Sequence, residues 1–196
     1  MAKVFKAILS QGLPAIIRNG GVGVIPTDTI YGLAGKALDE KVVERIYEIK
    51  GRKPDKPLII LISALKDLEL FNIALDNKVR KMLSKYWPGK VSIILPCPKK
   101  ELAYLHRGTN TLAFRLPDFP ELTNLIKQTG PLVAPSANPE GLKPAEGVSE
   151  AKNYFGKEVD FYVAGGSLKS EPSTLIAIAI NKNAVEIVRK GAVRIV

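Results

Sequence analysis

Four short stretches carry the side chains with which this chain could act on a ligand. Lys50-Gly-Arg52 sets two cations one residue apart, and Pro54 and Pro57 stiffen the chain before an apolar run begins at Leu58. Cations projected from a rigid turn suit phosphate oxygens. Cations in the last turn of a helix also complement the helix dipole and face water, for about 0.3–1 kcal/mol, and this segment alone supports both readings. Ser136-Ala-Asn138, framed by Pro135 and Pro139, offers a hydroxyl and an amide that an extended backbone would point the same way. Ser, Asn and Pro are equally ordinary turn formers. Thr27, Asp28, Thr29 and Tyr31 follow the apolar VGVIP directly, at the strand end where α/β sheets carry their sites, with a polar turn as the plain alternative. Ser173-Thr174 opens another apolar run, where β-branched Thr174 also serves strand propensity. Cations, hydroxyls and prolines in loops suit holding an anion still rather than shuttling protons.

Several chemistries are excluded. The phosphate-loop pattern fails because Gly35-Lys36 is followed by Ala37 and Ile30 stands where its first glycine belongs; GGVGVIP lacks the third glycine of the dinucleotide fingerprint. There is no GxSxG elbow, and the one imidazole, His106, sits in a Lys/Arg-flanked polar stretch, which argues against serine–histidine hydrolysis. One cysteine, Cys97, gives no intramolecular disulfide framework and, with one histidine, no Cys/His zinc site. A net charge of +10 favours an anionic partner: a nucleotide, RNA or an acidic membrane surface. Aromatic residues are 7% of the chain and do not interleave with the cations, which argues against single-strand readout but not against shape recognition of a duplex. No run reaches membrane-spanning length, and Gln11, Gly12, Pro14 and Arg18 interrupt the N-terminal apolar residues without a cleavage pattern, so a cytoplasmic protein is expected.

The elements that must position these residues read as a mixed α/β domain spanning residues 1–196, large enough to bury a sizeable core. The pattern predicts a helix over Val4–Asn19 ending at Gly20-Gly21, a buried strand over Val22–Pro26, and a loop over PTDTIYGLAG. DEKVVERIYEIK aligns Val42, Ile46 and Ile49 on one stripe, with Asp39 as N-cap and Gly51 as the stop. Further strands are expected at PLIILI, VSIILP, TLAFRLP, LVAP, DFYVAG, STLIAIAI and VEIVRK, and helices over Asp76–Tyr86, PELTNLIKQTG and SEAKNYFG.

Taken together, GGVGVIPTDTIYGLAG, KGRKPDKPLIIL, TLAFRLPD, APSANPEG, PSTLIAI and IVRKGAV resemble the YrdC-like threonylcarbamoyl-AMP synthases almost end to end. The resemblance implies a twisted, largely mixed β-sheet flanked by helices around a positively charged concave cavity. It implies that Lys50 and Arg52 meet the phosphates of ATP as the catalytic cations, with Pro54, Thr111, Ser136, Asn138, Pro144 and Arg189 completing the nucleotide site. Threonine would be held by Thr27, Arg115, the backbone at Ala134, and Thr174, with Arg115 pairing bidentately with its carboxylate. The implied reaction joins L-threonine and bicarbonate to AMP, releasing pyrophosphate, with Mg²⁺ carried by the ATP phosphates. A downstream threonylcarbamoyl transferase complex would use the product to modify tRNA. Longer relatives carry a further C-terminal domain, so this chain reads as the short form. Two departures stand out: Lys190 follows Arg189 where relatives commonly carry proline, and Leu61 stands where some longer relatives place histidine. The alternative from a different class is a non-catalytic module for double-stranded RNA or tRNA, bound through phosphate contacts. Within the enzymes, a similar domain serves carbamoyl transfer in much larger chains.

Overall fold

Neighbouring residues on the central strands bury into opposite cores, which is why those strands read as unbroken apolar runs rather than alternating ones. Residues 2–179 and 184–195 are described by the computed structural model. Among them are the strands β1 (Lys3–Phe5), β2 (Gly23–Ile25), β3 (Gly32–Lys36), β4 (Ile59–Leu61), β5 (Val91–Pro96), β6 (Thr111–Arg115), β7 (Leu132–Val133), β8 (Phe161–Val163), β9 (Thr174–Ala179) and β10 (Ala184–Arg189). They form one mixed sheet in the order β1-β8-β2-β3-β7-β4-β6-β5-β9-β10. The helices are α1 (Leu13–Arg18), α2 (Glu40–Lys50), α3 (Asn77–Leu83), α4 (Ala103–His106), α5 (Pro120–Thr129) and α6 (Val148–Phe155). None of the described helices is long and apolar enough to cross a membrane.

On one face, Val24, Leu33, Ile60, Ile93 and Phe114 pack with Val43, Ile46 and Tyr47 of α2. On the other, Ile25, Ala34 and Leu61 pack with Leu13 and Ile17 of α1 and Leu122, Leu125 and Ile126 of α5. Fully burying side chains of this size contributes about 1.5–3 kcal/mol each. Helix α2 is bounded as its sequence requires: the Asp39 carboxylate accepts the Val42 amide at 3.3 Å, and Gly51 closes the helix at φ 57°.

Two expectations need correcting. The stretch over Val4–Asn19 is not one helix: β1 comes first, pairing in parallel with β8, and Gly12 at φ 86° precedes a shorter α1. Ile8, Leu13 and Ile17 are all buried at a spacing that mimics a helical stripe, although only the last two lie on the helix. PTDTIYGLAG is not all loop either, because Gly32–Gly35 belong to β3, paired antiparallel with β2. Glycine has low strand propensity, yet here it is required. A Cβ on Gly35 would lie 2.5 Å from Val42 Cγ1, so only glycine lets α2 sit this close to the sheet. The remaining predicted strands and helices are present with shifted ends, and Ile180 of STLIAIAI lies outside the described residues.

Candidate active site

Thr111, Ala113 and Arg115 alternate along β6 with Leu112 and Phe114, so the first three share the face turned away from the α2 core. The register sets Ile59 of β4 and Ile94 of β5 beside Ala113. These residues, with Leu175 of β9, form the floor of a cavity of about 330 Å³. Its walls are loops: Thr27–Tyr31 after β2, Arg52 and Pro57 between α2 and β4, Thr109, Ala134–Ser136 after β7, Pro172–Ser173 before β9, and Arg189 at the end of β10. An apolar floor ringed by hydroxyls and three guanidinium groups suits a planar, apolar-faced anion.

Seven of the twelve residues to which the resemblance gives a site role line this cavity: Thr27, Arg52, Thr111, Arg115, Ala134, Ser136 and Arg189. Arg52 is held by its own loop, Nε donating to Lys56 O at 3.0 Å and Nη2 to Pro57 O at 3.3 Å. Arg189 donates from Nη2 to Ser173 O at 2.8 Å. Burial and the nearby Arg52 charge lower the Arg189 pKa, in that order, so the two cations repel across a space that an anion would relieve.

The other five do not line it. Pro54 is exposed and Pro144 half-buried, both away from the cavity wall. The Asn138 side chain ties its own loop, Nδ2 donating to Pro139 O at 2.9 Å and Leu142 O at 2.7 Å, so it does not point with Ser136. Lys50 is not at a loop rim and does not face water: it is 2% exposed, its Nζ donating to Ser136 O at 2.6 Å, Asn138 O at 2.5 Å and Asn138 Oδ1 at 3.4 Å. As the ammonium, Lys50 has a donor for each of these oxygens, so it shapes the Ser136–Asn138 loop. Burial first, and then the Arg52 charge, push its pKa down to about 7, against a smaller opposing pull from Glu140. Thr174 donates to Val193 O at 2.5 Å and accepts from Val193 N at 3.1 Å, which uses its hydroxyl on the C-terminal segment.

The threonine pocket expected from sequence is altered in two further ways. The Thr27 hydroxyl donates to Ile30 O at 2.7 Å and accepts the Thr29 amide at 3.1 Å, so it braces its own turn. Arg115 is not a free guanidinium: its Nη1 is ion-paired with Asp28, both side chains at most 5% exposed. Burial lowers the Arg115 pKa and the Asp28 charge opposes it. Arg115 Nε and Asp28 Oδ2 have no hydrogen-bond partner among the described residues. Thr29, Thr109 and Ser173 also line the cavity. Thr29 and Ser173 belong to the motif stretches named from sequence, although the resemblance gives them no ligand role, whereas Thr109 was not named. No group of three or more His, Cys, Asp or Glu side chains among the described residues could hold a metal ion.

The Sua5/YciO/YrdC family model, described as "Telomere recombination", matches residues 15–191. A threonylcarbamoyl-AMP synthase of Bacillus subtilis is 37% identical over 153 residues, covering 77% of this chain and 43% of the relative. One of Marinobacter nauticus is 32% identical over 162 residues, covering 81% of this chain and 85% of the relative. The structure of Pyrococcus abyssi Sua5 complexed with L-threonine superposes with a TM-score of 0.85 at 28% identity, covering 97% of this chain and 57% of that one. The chain thus spans about half the length of some relatives and most of others. The match across residues 15–191 and the shared sheet place this chain in the Sua5/YciO/YrdC family.

Proposed function

We propose that this chain is an L-threonylcarbamoyladenylate synthase, a nucleotidyltransferase acting on ATP, L-threonine and bicarbonate. The observation that carries the reading is the convergence of Arg52, Arg115 and Arg189 with the Thr29, Thr111, Ser136 and Ser173 hydroxyls on one cavity. The naming of relatives as threonylcarbamoyl-AMP synthases supports it. The amine nitrogen of threonine adds to bicarbonate carbon with loss of water, giving a carbamate. A carbamate oxygen then attacks the α-phosphorus, and the bond to the bridging oxygen breaks, its electron pair leaving with pyrophosphate. Two anions must meet, so the chain's part is alignment and charge cancellation. Arg52 and Arg189, which both line the cavity, would take the phosphates. Asp28 takes Nη1 of Arg115 and Nη2 donates weakly to Thr27 Oγ1 at 3.5 Å, so Arg115 would draw the threonine carboxylate by its charge from a guanidinium already engaged at both terminal nitrogens. Mg²⁺ enters on the ATP phosphates. The product serves tRNA modification through a downstream transferase.

The test is incubation with MgATP, threonine and bicarbonate, followed by detection of pyrophosphate and the adenylate. Pyrophosphate that requires both threonine and bicarbonate is the expected result. Equal release without threonine removes the substrate assignment, and duplex RNA binding with no pyrophosphate would favour a binding module.

Lys50 adds a pH signature. Burial lowers its pKa to about 7, so above that pH the free protein loses the ammonium charge and one of the three oxygens at Nζ loses its donor. Phosphates brought to the neighbouring Ser136 loop favour the ammonium, so the complex holds a proton that the free protein lacks. ATP binding at pH 8 is expected to take up close to one proton, and affinity to fall by up to ~10-fold per pH unit above 7. Calorimetry in two buffers of different ionisation enthalpy measures this, and Lys50→Met should abolish the uptake. Identical heats in both buffers would contradict the role given to Lys50.

A further inference from the structure

Thr109 and Thr111 line the cavity from a turn with little freedom of its own. Arg107, Gly108 and Asn110 take φ of 51°, 83° and 55°, and two of them are not glycine. Such a turn persists only where its surroundings hold it. His106 holds it from within: Nδ1 accepts the Gly108 amide at 3.1 Å, and the Thr109 hydroxyl donates to His106 O at 2.6 Å. The Arg107 side chain holds it from outside. Its guanidinium lies 4.1 Å from the centre of the Tyr47 ring, and its Nη2 is 2.7 Å from Glu44 Oε1. Glu44 and Tyr47 are three residues apart on α2 and so share a face, forming one cradle for this cation.

Tyr47 reaches the opposite wall. Its hydroxyl donates to Lys56 O at 2.9 Å, the same carbonyl that accepts Arg52 Nε at 3.0 Å. Glu140 fixes that segment from the far side, its Oε1 2.5 Å from Lys56 Nζ and its Oε2 accepting the Lys53 amide at 2.8 Å. A continuous path therefore runs from the Thr109–Thr111 turn through Arg107 and Tyr47 to the carbonyl that aims Arg52. Neither Arg107 nor Tyr47 lines the cavity.

We propose that Arg107 and Tyr47 are positioning residues that set the distance between the Arg52 wall and the Thr109–Thr111 wall, and thereby the affinity for the nucleotide but not for the amino acid. This rests on the synthase reading, because it takes the ligand between those walls to be ATP. The amino-acid side, built on Asp28, Thr29 and Arg115, shares none of these contacts.

Tyr47→Phe is the sharpest variant, since it deletes one hydroxyl and leaves the ring beneath Arg107. Losing one such hydrogen bond at the aiming carbonyl is expected to weaken ATP binding about 5-fold, with threonine KM and melting temperature close to wild type. Arg107→Lys keeps a charge opposite Glu44 but loses the planar stack, and is expected to weaken ATP in the same direction. Binding is read by titration with MgATP alone, which requires no turnover, and KM for each substrate is read separately. A lowered melting temperature with unchanged ATP affinity would show a purely structural role and overturn the proposal, as would equal weakening for ATP and threonine. Failure of the wild type to bind ATP overturns the synthase reading and this proposal with it. A wild type that binds ATP, with a variant indistinguishable from it, overturns this proposal alone.

Discussion

Arg115→Ala is expected to cost about 3–5 kcal/mol of stability and to abolish synthesis, because it leaves the Asp28 carboxylate buried and unpaired. The pair has little solvent to fall back on: both side chains are at most 5% exposed, and Asp28 Oδ2 already lacks a hydrogen-bond partner among the described residues. For a chain of this length such a loss lowers the melting temperature by roughly 6–20 °C. The ion pair is not thereby a large net source of stability, since taking two charges out of water offsets most of their attraction. Removing both should therefore cost less than removing one. The double variant Asp28→Asn with Arg115→Met is expected to recover a good part of the melting temperature lost by Arg115→Ala while remaining inactive. A single variant melting within about 2 °C of wild type would mean that Asp28 relaxes to water or to another donor, and the buried-pair account would fail. Activity and stability separate here, because the stable double variant still lacks the Arg115 guanidinium that the proposed function assigns to the substrate carboxylate.

What the sequence could and could not disclose about this site follows from where each side chain's partners lie in the chain. Helix α2 was legible because its signals are local: Asp39 and Gly51 at its ends and an apolar stripe between them. The four motif stretches were legible as cation- and hydroxyl-bearing loops after strands, and each contributes to the cavity wall. Lys50 was misread because the groups that bury it, Ser136 O and Asn138 O, lie 86 and 88 residues away. The Asp28–Arg115 pair spans 87 residues, so Arg115 looked like a free receptor for carboxylate. The engagement of the Thr27 and Thr174 hydroxyls is not legible for a subtler reason. Threonine beside a turn often spends its hydroxyl on nearby backbone, and both residues do so here. The strand hidden in GLAG was missed because glycine propensity opposes it, and it forms because α2 needs the close approach at Gly35. The motifs thus identified which loops meet, and the fold decided which atoms within them are free.

That distinction fixes how the amino acid should be discriminated. Threonine is expected to be used far better than valine, by up to ~10⁴-fold, and better than serine by roughly 10- to 200-fold. Valine lacks the hydroxyl, so a buried polar group built to receive it is left unpaired. Serine keeps the hydroxyl and loses a methyl group, worth about 1–3 kcal/mol against an apolar wall. Thr27 and Thr174 have engaged their hydroxyls with the backbone, which leaves Thr29 as the better candidate. Its oxygen lies 3.1 Å from Thr27 Oγ1, and because Thr27 gives its one proton to Ile30 O, Thr29 must be the donor between them. The lone pairs of Thr29 then remain to accept a substrate hydroxyl. Thr29→Val should accordingly bring threonine and valine to within about 10-fold of each other, chiefly by lowering activity with threonine. Adenylate formation with the three amino acids at matched concentrations, for wild type and Thr29→Val, measures this. Equal use of valine by the wild type would remove the hydroxyl-sensing pocket altogether, and undiminished discrimination by Thr29→Val would move it to another hydroxyl on the cavity wall, with Ser173 the next to test.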